Sequence, residues 1–348
     1  MTKNKYSLPA EWIEQDAIML TWPHKETDWQ PILEKVEPVF VDICIAITKH
    51  QKLVIVCHDD SIKHHVTHLL AQANVLVSNN VLFIISPSND TWARDHGPIT
   101  LVSSDDIKAL DFTFNGWGNK FASSLDNQIN QALFKHQDIK LDSHQVIDFV
   151  LEGGAIESDG QGHLLTTAKC IFNPNRNPNY THEQISKHLL TTLGLDQALV
   201  LNHGDIIGDD TDAHIDTLCR FAPNNTILYT KCYREEDEHF PELTLMEREL
   251  TQFETKHGEK FNLVPLPLPA AKYNSEGDRL PATYANFLII NNAVLVPTYQ
   301  DENDRKALEK IAIAFPDRQI IGIDCLAIIE QFGSLHCLTM QLPKGYLN

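Results

Sequence analysis

A thiol, an imidazole and three carboxylates stand out in this chain because each sits in a short polar stretch just ahead of a β-rich run. They are Asp95 in Arg94-Asp95-His96-Gly97, Glu152 in Glu152-Gly153-Gly154, His214 and Asp216 in His214-Ile215-Asp216, and Cys337 in Gly333-Ser334-Leu335-His336-Cys337. A cysteine attacks as its thiolate, and a neighbouring imidazolium or bound cation favours that form. On a strand, adjacent residues face opposite ways, so His336 is a poor partner for Cys337, and His214 from another stretch is the better candidate. His214 and Asp216, two residues apart, would face the same way on an extended segment, which suits a proton carrier and a substrate anchor acting on one bound group.

Each residue also has a plainer reading. Asp95 could pair with Arg94 at a turn before Pro98, Gly153-Gly154 could be only a tight turn, and Cys337 alone could be a buried core thiol. The acidic stretch Asp209-Asp210-Thr211-Asp212-Ala213-His214-Ile215-Asp216 invites a metal reading, but a calcium loop starting at Asp210 would need glycine where Ile215 stands. His64, His65 and His68 have helical spacing but lack the glutamate of a metalloprotease helix, so they read as a solvated face. No metal site is expected.

The elements that must position these residues alternate along the chain as short apolar strands and amphipathic helices. Ser61 could cap a helix burying Ile62, Val66, Leu69 and Ala73. Thr181 and Gln184 form a capping-box pattern ahead of Ile185, Leu189 and Leu193, with Gly194 as the stop. Leu243, Met246, Leu250 and Phe253 mark another helix face, and Leu308, Ile311, Ala312 and Phe315 one more, ended by Pro316. The polar-stretch-then-strand pattern recurs five times, before Ile99–Val102, 164–167, 227–230, Ala293–Thr298 and 338–342, the fourth led by Tyr284-Ala285-Asn286. A spacing of roughly 50–70 residues is in or just above the range of structural repeats. Were the units to close around an axis, their polar stretches would share one pocket. The expectation is a single α/β domain spanning 1–348.

Composition narrows the partners. The 348 residues are 43% hydrophobic and 22% charged, ordinary for a globular protein, and the formal net charge is −19. That charge argues against nucleic acid or an anionic membrane as partner and mildly favours a cationic ligand. No run of about 18 apolar residues marks a membrane span, and Met1–Pro9 lacks an apolar signal core, so a cytoplasmic location is expected. The seven cysteines are scattered without a C-x-x-C pair, which speaks against a disulfide framework.

With these stretches in order, the chain resembles the agmatine deiminases and bacterial-type peptidylarginine deiminases of the guanidino-group-modifying superfamily. The motifs run from Leu8-Pro9-Ala10-Glu11-Trp12 and Thr21-Trp22-Pro23-His24 through Asn89-Asp90-Thr91-Trp92-Ala93-Arg94-Asp95-His96-Gly97-Pro98 and Asn115-Gly116-Trp117-Gly118. They continue with Leu151-Glu152-Gly153-Gly154, Asn175-Arg176-Asn177-Pro178 and the acidic stretch before Asp216, then Pro281-Ala282-Thr283-Tyr284-Ala285-Asn286-Phe287 and Leu335-His336-Cys337-Leu338-Thr339. The resemblance implies a five-bladed α/β-propeller of pseudo-fivefold symmetry, the pentein fold.

It also implies roles: Cys337 as nucleophile, His214 as general acid/base, Glu152 as the carboxylate that orients and charges the histidine, and Asp95 with Asp216 as the pair gripping a guanidinium. The implied reaction is hydrolysis of agmatine through an amidino-cysteine, with no metal or organic cofactor. For the substrate's ammonium tail it points to Asp210, with Asp212 the alternative. Trp22, Trp92 and Trp117 could wall the aliphatic chain, or each could be core packing. One departure is Phe332-Gly333-Ser334-Leu335, where the family usually carries a run of glycines. The rival expectations are deimination of another guanidine, in peptides or free, and a cation-binding propeller without catalysis. The expected partner is a small cationic guanidinium, and assembly as a homo-oligomer is left open.

Overall fold

The structure, a computed structural model, describes residues 6–104, 106–141 and 143–348. Residues 1–5, the start of the polar stretch Met1–Pro9, lie outside the described residues, as do Asp105 and Asp142. Among the described residues no helix is long and apolar enough to cross a membrane.

The architecture is α/β: among the described residues, beside a two-stranded pair of Lys272–Tyr273 and Arg279–Leu280, five sheets repeat one connectivity. In each, a first strand pairs antiparallel with a second, and a helical crossover then brings a third strand back parallel to the second. Ile99–Val102, Ile107–Thr113 and His144–Val150 make one such unit. Glu157–Ser158, His163–Thr167 and Gln197–Leu201 make the next, followed by Cys219–Ala222, Thr226–Lys231 and Asn262–Pro267. Leu288–Ile290, Ala293–Thr298 and Gln319–Asp324 make the fourth. In the remaining unit the order is split across the chain: Thr339–Pro343 is the first strand, pairing antiparallel with Gln15–Thr21, which pairs parallel with Lys52–Cys57 and, beyond it, Val81–Ile85.

The five β-rich runs read from sequence mix two positions of this repeat. Ile99–Val102 and Thr339–Pro343 are first strands, whereas His163–Thr167, Thr226–Lys231 and Ala293–Thr298 are second strands. The first strands there are short, only two residues in Glu157–Ser158, too brief for alternation to register.

The crossover helices form where capping and apolar spacing dictate. Thr181 and Gln184 make the reciprocal capping box, and Gly194 closes that helix, His182–Leu193, with φ of 67°. The helix Asp60–Gln72 is capped by Asp59, whose carboxylate accepts from the Ile62 N–H, rather than by Ser61. Asp59 wins because it holds the extended backbone an N-cap needs, with φ −152° and ψ 178°. His64, His65 and His68 lie on the exposed side of that helix. Helix Leu33–Thr48 buries Val36, Phe40, Ile43, Cys44 and Ile47 on one face against the split sheet. Each such buried side chain contributes roughly 1.5–3 kcal/mol. All seven cysteines are free and buried.

Each polar stretch stands immediately upstream of a first strand, and neighbouring stretches touch in a closed circuit. The Arg94 N–H donates to Cys337 O at 3.1 Å, and the Cys337 sulfur lies 3.2 Å from Asn286 Nδ2. Asn286 Nδ2 also faces Asp216 O at 3.4 Å. The turn Ile215–Thr217 packs on Gly153–Ala155, and the Gly154 N–H returns to Asp95 Oδ1 at 3.0 Å. Residues remote in sequence therefore line one centre.

Candidate active site

Gly154 measures how tightly that centre converges. A Cβ placed on it would lie 2.5 Å from His214 Nδ1, 2.8 Å from Asp95 Oδ1 and 3.2 Å from Asp216 Oδ2. Any side chain there would collide with His214 and Asp95 and crowd Asp216, so the close approach needs glycine. Asp95, Glu152, His214, Asp216 and Cys337 are all buried, the nucleophile candidate being 5% exposed.

Asp95 sits on the single turn Ala93–His96. Its Oδ1 accepts from Gly154 N–H, its Oδ2 accepts from the Trp117 indole at 2.9 Å, and His214 Nδ1 lies 3.6 Å away. Burial pushes the Asp95 carboxyl up to about 6, against the pull of His214 and the indole. Trp117 belongs to a rare backbone segment: Gly116, Trp117, Gly118 and Asn119 have φ of 65°, 54°, 81° and 65°, a left-handed turn. A non-glycine residue pays about 1–2 kcal/mol there. The turn is held by Asn115, whose Oδ1 accepts from Gly118 N–H at 2.9 Å and whose amide donates to Asn175 O at 2.9 Å.

His214 has both ring nitrogens buried without a hydrogen-bond partner among the described residues. Burial alone would depress it, but Asp95, Cys170 and Glu152 together hold its imidazolium well above the usual histidine range. Glu152 acts on it from a short distance rather than through a direct bond. Both Glu152 oxygens are taken by Arg176 Nε, at 2.9 and 3.0 Å. The same guanidinium reaches Asp212 Oδ2 at 2.8 Å and Thr211 O at 2.9 Å, tying Glu152 to the acidic loop. Glu152, Cys170 and His214 offer ligand atoms within 4.8 Å of one another, a spacing that could hold an ion. Arg176 already neutralises the carboxylate of that trio, which disfavours a second cation.

Asp216 Oδ2 accepts from His336 Nδ1 at 2.8 Å and lies 3.6 Å from Cys337 Sγ. Burial opposes its charge, yet His336, His214 and Arg220 keep the carboxylate below its ordinary range. Its other oxygen, Oδ1, is buried with no partner among the described residues. Burial and the nearby charges of Asp216 and Asp95 push the Cys337 thiol well above its ordinary value, with the Ser334 backbone and Asn286 opposing. An anionic, half-satisfied centre beside a thiol thus favours a cation, whose charge would reverse the pressure on the sulfur.

Behind these groups lies a polar hub that sequence reasoning missed. Glu11 pairs with Arg94, Arg220 and His336, and Arg220 pairs also with Glu157. His336 and Cys337 stand on a turn rather than on a strand, so they are not sent to opposite faces: both side chains reach Asp216 Oδ2, at 2.8 and 3.6 Å. Arg176, Asn286 and Glu11 likewise stood in recognised stretches without an assigned role. Their sequence neighbourhood was a signal, while their partners, contributed by other units, were not.

The tryptophans separate. Trp117 touches Asp95, and Trp92 packs against the turn before Cys337, where a Cβ on Gly333 would lie 2.2 Å from its ring. Trp22 is a correction: it is fully buried, edge-on to Phe40 at 5.4 Å and bonded to Glu37, so it serves the packing beneath the split sheet. Ser334 turns inward to Tyr299 at 2.9 Å. In the acidic loop, Asp212 is engaged by Lys120 and Arg176, whereas Asp210 is exposed and contributes only its carbonyl, to Lys120 at 2.6 Å.

Comparison with known proteins places the whole chain among deiminases. A sequence profile of the Porphyromonas-type peptidyl-arginine deiminase family matches residues 7–343. A curated relative from Yersinia pestis, provisionally named an agmatine deiminase, is 29% identical over 98% of this chain and 96% of its own length. A cysteine-to-serine variant of C. jejuni agmatine deiminase, solved with substrate bound, superposes with a TM-score of 0.90 at 41% identity, covering 99% of this chain and 97% of that one. A Porphyromonas gingivalis structure provisionally named an arginine deiminase gives 0.93 at 46% identity, over 99% of this chain and all of that one.

Proposed function

Because the chain belongs to the Porphyromonas-type peptidyl-arginine deiminase family, we propose that it is a hydrolase of linear amidines that converts agmatine to N-carbamoylputrescine and ammonia. We read the five units as blades of one catalytic α/β-propeller, with the polar circuit at its axis. The observation that carries the substrate class is the buried Asp216 Oδ1 beside Cys337 and Asp95, which has no partner among the described residues. A planar guanidinium supplies the N–H donors that such an oxygen needs and the positive charge that two adjacent carboxylates favour.

In this reading Asp95 and Asp216 hold the cation so that its central carbon faces Cys337 Sγ. The bound charge favours loss of the thiol proton to solvent, and the thiolate adds to that carbon and gives a tetrahedral adduct. His214, charged in the free enzyme, protonates the departing nitrogen, and the C–N bond breaks to release ammonia. The amidino group stays on the sulfur. Neutral His214 then takes a proton from water, hydroxide adds to the same carbon, and the C–S bond breaks as the new hydroxyl proton passes to solvent, giving the ureido product and the thiolate. Glu152 keeps His214 charged for the first half, and Arg176 keeps Glu152 in place.

The tail of agmatine is an ammonium, and Asp210 supplies an exposed carboxylate, without a hydrogen-bond partner among the described residues, on the loop that carries His214. Asp212 is already paired on both oxygens and is set aside. A second reading takes free arginine as substrate, because Lys120 beside the same loop could receive a carboxylate. Ammonia release from agmatine, arginine and an arginyl peptide decides between them: agmatine should lead by at least about tenfold in kcat/KM, a 1.4 kcal/mol preference. Arginine in the lead would overturn the agmatine reading. Cys337→Ala should bind agmatine without turnover, and residual turnover by that variant would remove Cys337 as nucleophile.

A further inference from the structure

We infer that Asp209 is a positioning residue for the hydrolysis, its carboxylate holding the backbone turn that aims His214. The imidazole has no hydrogen-bond partner on either ring nitrogen among the described residues, so its place is set by the main chain that delivers it. That main chain is wound in the unfavourable hand: Asp212 and Ala213 have φ of 68° and 65°. Residues other than glycine keep that hand only where their surroundings enforce it.

Four side chains supply the enforcement. Asp209 Oδ2 accepts from the Ala213 N–H at 2.6 Å, and the Thr167 hydroxyl donates to the Ala213 carbonyl at 2.7 Å. The His214 N–H donates to Thr211 Oγ1 at 3.1 Å, and the Thr217 hydroxyl donates to the His214 carbonyl at 2.9 Å. Asp209 governs two of these four contacts, because its Oδ1 accepts from both the N–H and the hydroxyl of Thr211. With its proton committed to Asp209, the hydroxyl presents a lone pair to the His214 N–H. One carboxylate thus closes the turn 209–213 through both oxygens. The inference rests on His214 being the general acid/base of the proposed hydrolysis.

The test reads the imidazole without substrate. The ring faces Asp95, Glu152, Cys170, Asp216 and Asp209 itself. The 15N resonances of His214, assigned by their loss in His214→Asn, are titrated in the wild type, in Asp209→Ala, and in Asp209→Ala combined with Ala213→Gly. A ring that loses its aim moves off Asp95 and Glu152, whose charges raise it. Its midpoint should therefore fall by at least about one pH unit in Asp209→Ala. In the same variant kcat should fall about 100-fold, with KM for agmatine within about threefold.

Glycine takes the left-handed turn without steric cost, so adding Ala213→Gly should return about tenfold of the lost kcat and part of the midpoint. Loss of the Asp209 charge alone would also lower the midpoint, but glycine at position 213 would not restore it. A midpoint and kcat unmoved by Asp209→Ala, or a loss that Ala213→Gly leaves untouched, would overturn the proposal. If Asp209→Ala does not fold, Asp209→Asn is read in its place by the same criteria, since one amide oxygen cannot serve both Ala213 and Thr211. A midpoint that moves and recovers in a protein that ignores agmatine would sink the substrate assignment alone.

Discussion

Asp95 receives the indole N–H of Trp117 on one carboxylate oxygen and the Gly154 amide on the other, so one substrate-gripping candidate is fixed from two different units. The indole is delivered by a backbone wound in the unfavourable hand, and strain of that kind persists only where surrounding contacts enforce it. Removing the donor should be felt in the pH profile. Asp95 must be charged to grip a cation, and its carboxyl titrates near 6 in the free protein. The acid limb of kcat/KM should therefore fall near 6, and Trp117→Phe should move it upward while lowering kcat/KM at neutral pH about tenfold, the worth of one charge-assisted bond. A limb unchanged in Trp117→Phe would refute the coupling. The sign for stability is opposite to that for activity. A carboxyl raised above its unfolded value contributes stability that is full below about 4 and lost as pH rises through about 6.

Arg176 carries a larger structural burden. Its guanidinium satisfies Glu152, Asp212 and the Thr211 carbonyl together, and Glu152 is wholly buried. Arg176→Ala should cost about 3–5 kcal/mol in denaturant unfolding, because it strands a buried charge. Arg176→Lys keeps the charge but not the planar fork, and it should fall between the two. A loss below about 1 kcal/mol for the alanine variant would show that Glu152 is neutral or otherwise compensated.

His336 offers a sharper comparison. Asp216 can only accept, so His336 Nδ1 carries the proton between them. The amide of asparagine can reproduce an Nδ1 donor, whereas that of glutamine reaches the Nε2 position. His336→Asn should therefore retain at least about tenfold more kcat/KM than His336→Gln. Equal losses would mean that the ring is needed only for packing. Asp216 is held below its ordinary carboxylate range, so the stability it contributes is present above about 4 and lost as pH falls through its folded value. His336→Gln should bring that acid loss to higher pH.

On the acidic loop, Asp210→Ala should raise KM for agmatine about two- to fivefold relative to an alkylguanidine of the same length without the terminal ammonium, the range of an exposed ion pair. Identical changes for both compounds would take Asp210 out of the tail subsite. Asp212→Ala should instead lower stability, through the loss of two ion pairs, and affect the two compounds alike.

The repeat was legible because buried strands and capped helices leave local traces. Thr181, Gln184 and Gly194 fixed a helix to the residue, since every group that makes those caps lies within the same short segment. The candidate catalytic groups were legible for a related reason: each polar stretch interrupts apolar surroundings just before a strand. The partners were not legible. Glu11 reaches Arg94, Arg220 and His336 across the whole chain, and no periodicity encodes such pairings. Trp22 misled because a tryptophan in a recognised motif looks the same whether it faces a ligand or Phe40. Asp59 displaced Ser61 as cap because the choice turns on backbone angles two residues apart.

Cys337 is followed almost at once by Thr339–Pro343, which pairs with Gln15–Thr21 from far away in sequence. No other strand pairing among the described residues closes so long a loop, and loop-closure entropy makes such contacts slow to form. The candidate sulfur is thus seated by the most distant pairing in the fold, whereas Asp95, Glu152 and His214 precede first strands whose partners are close in sequence.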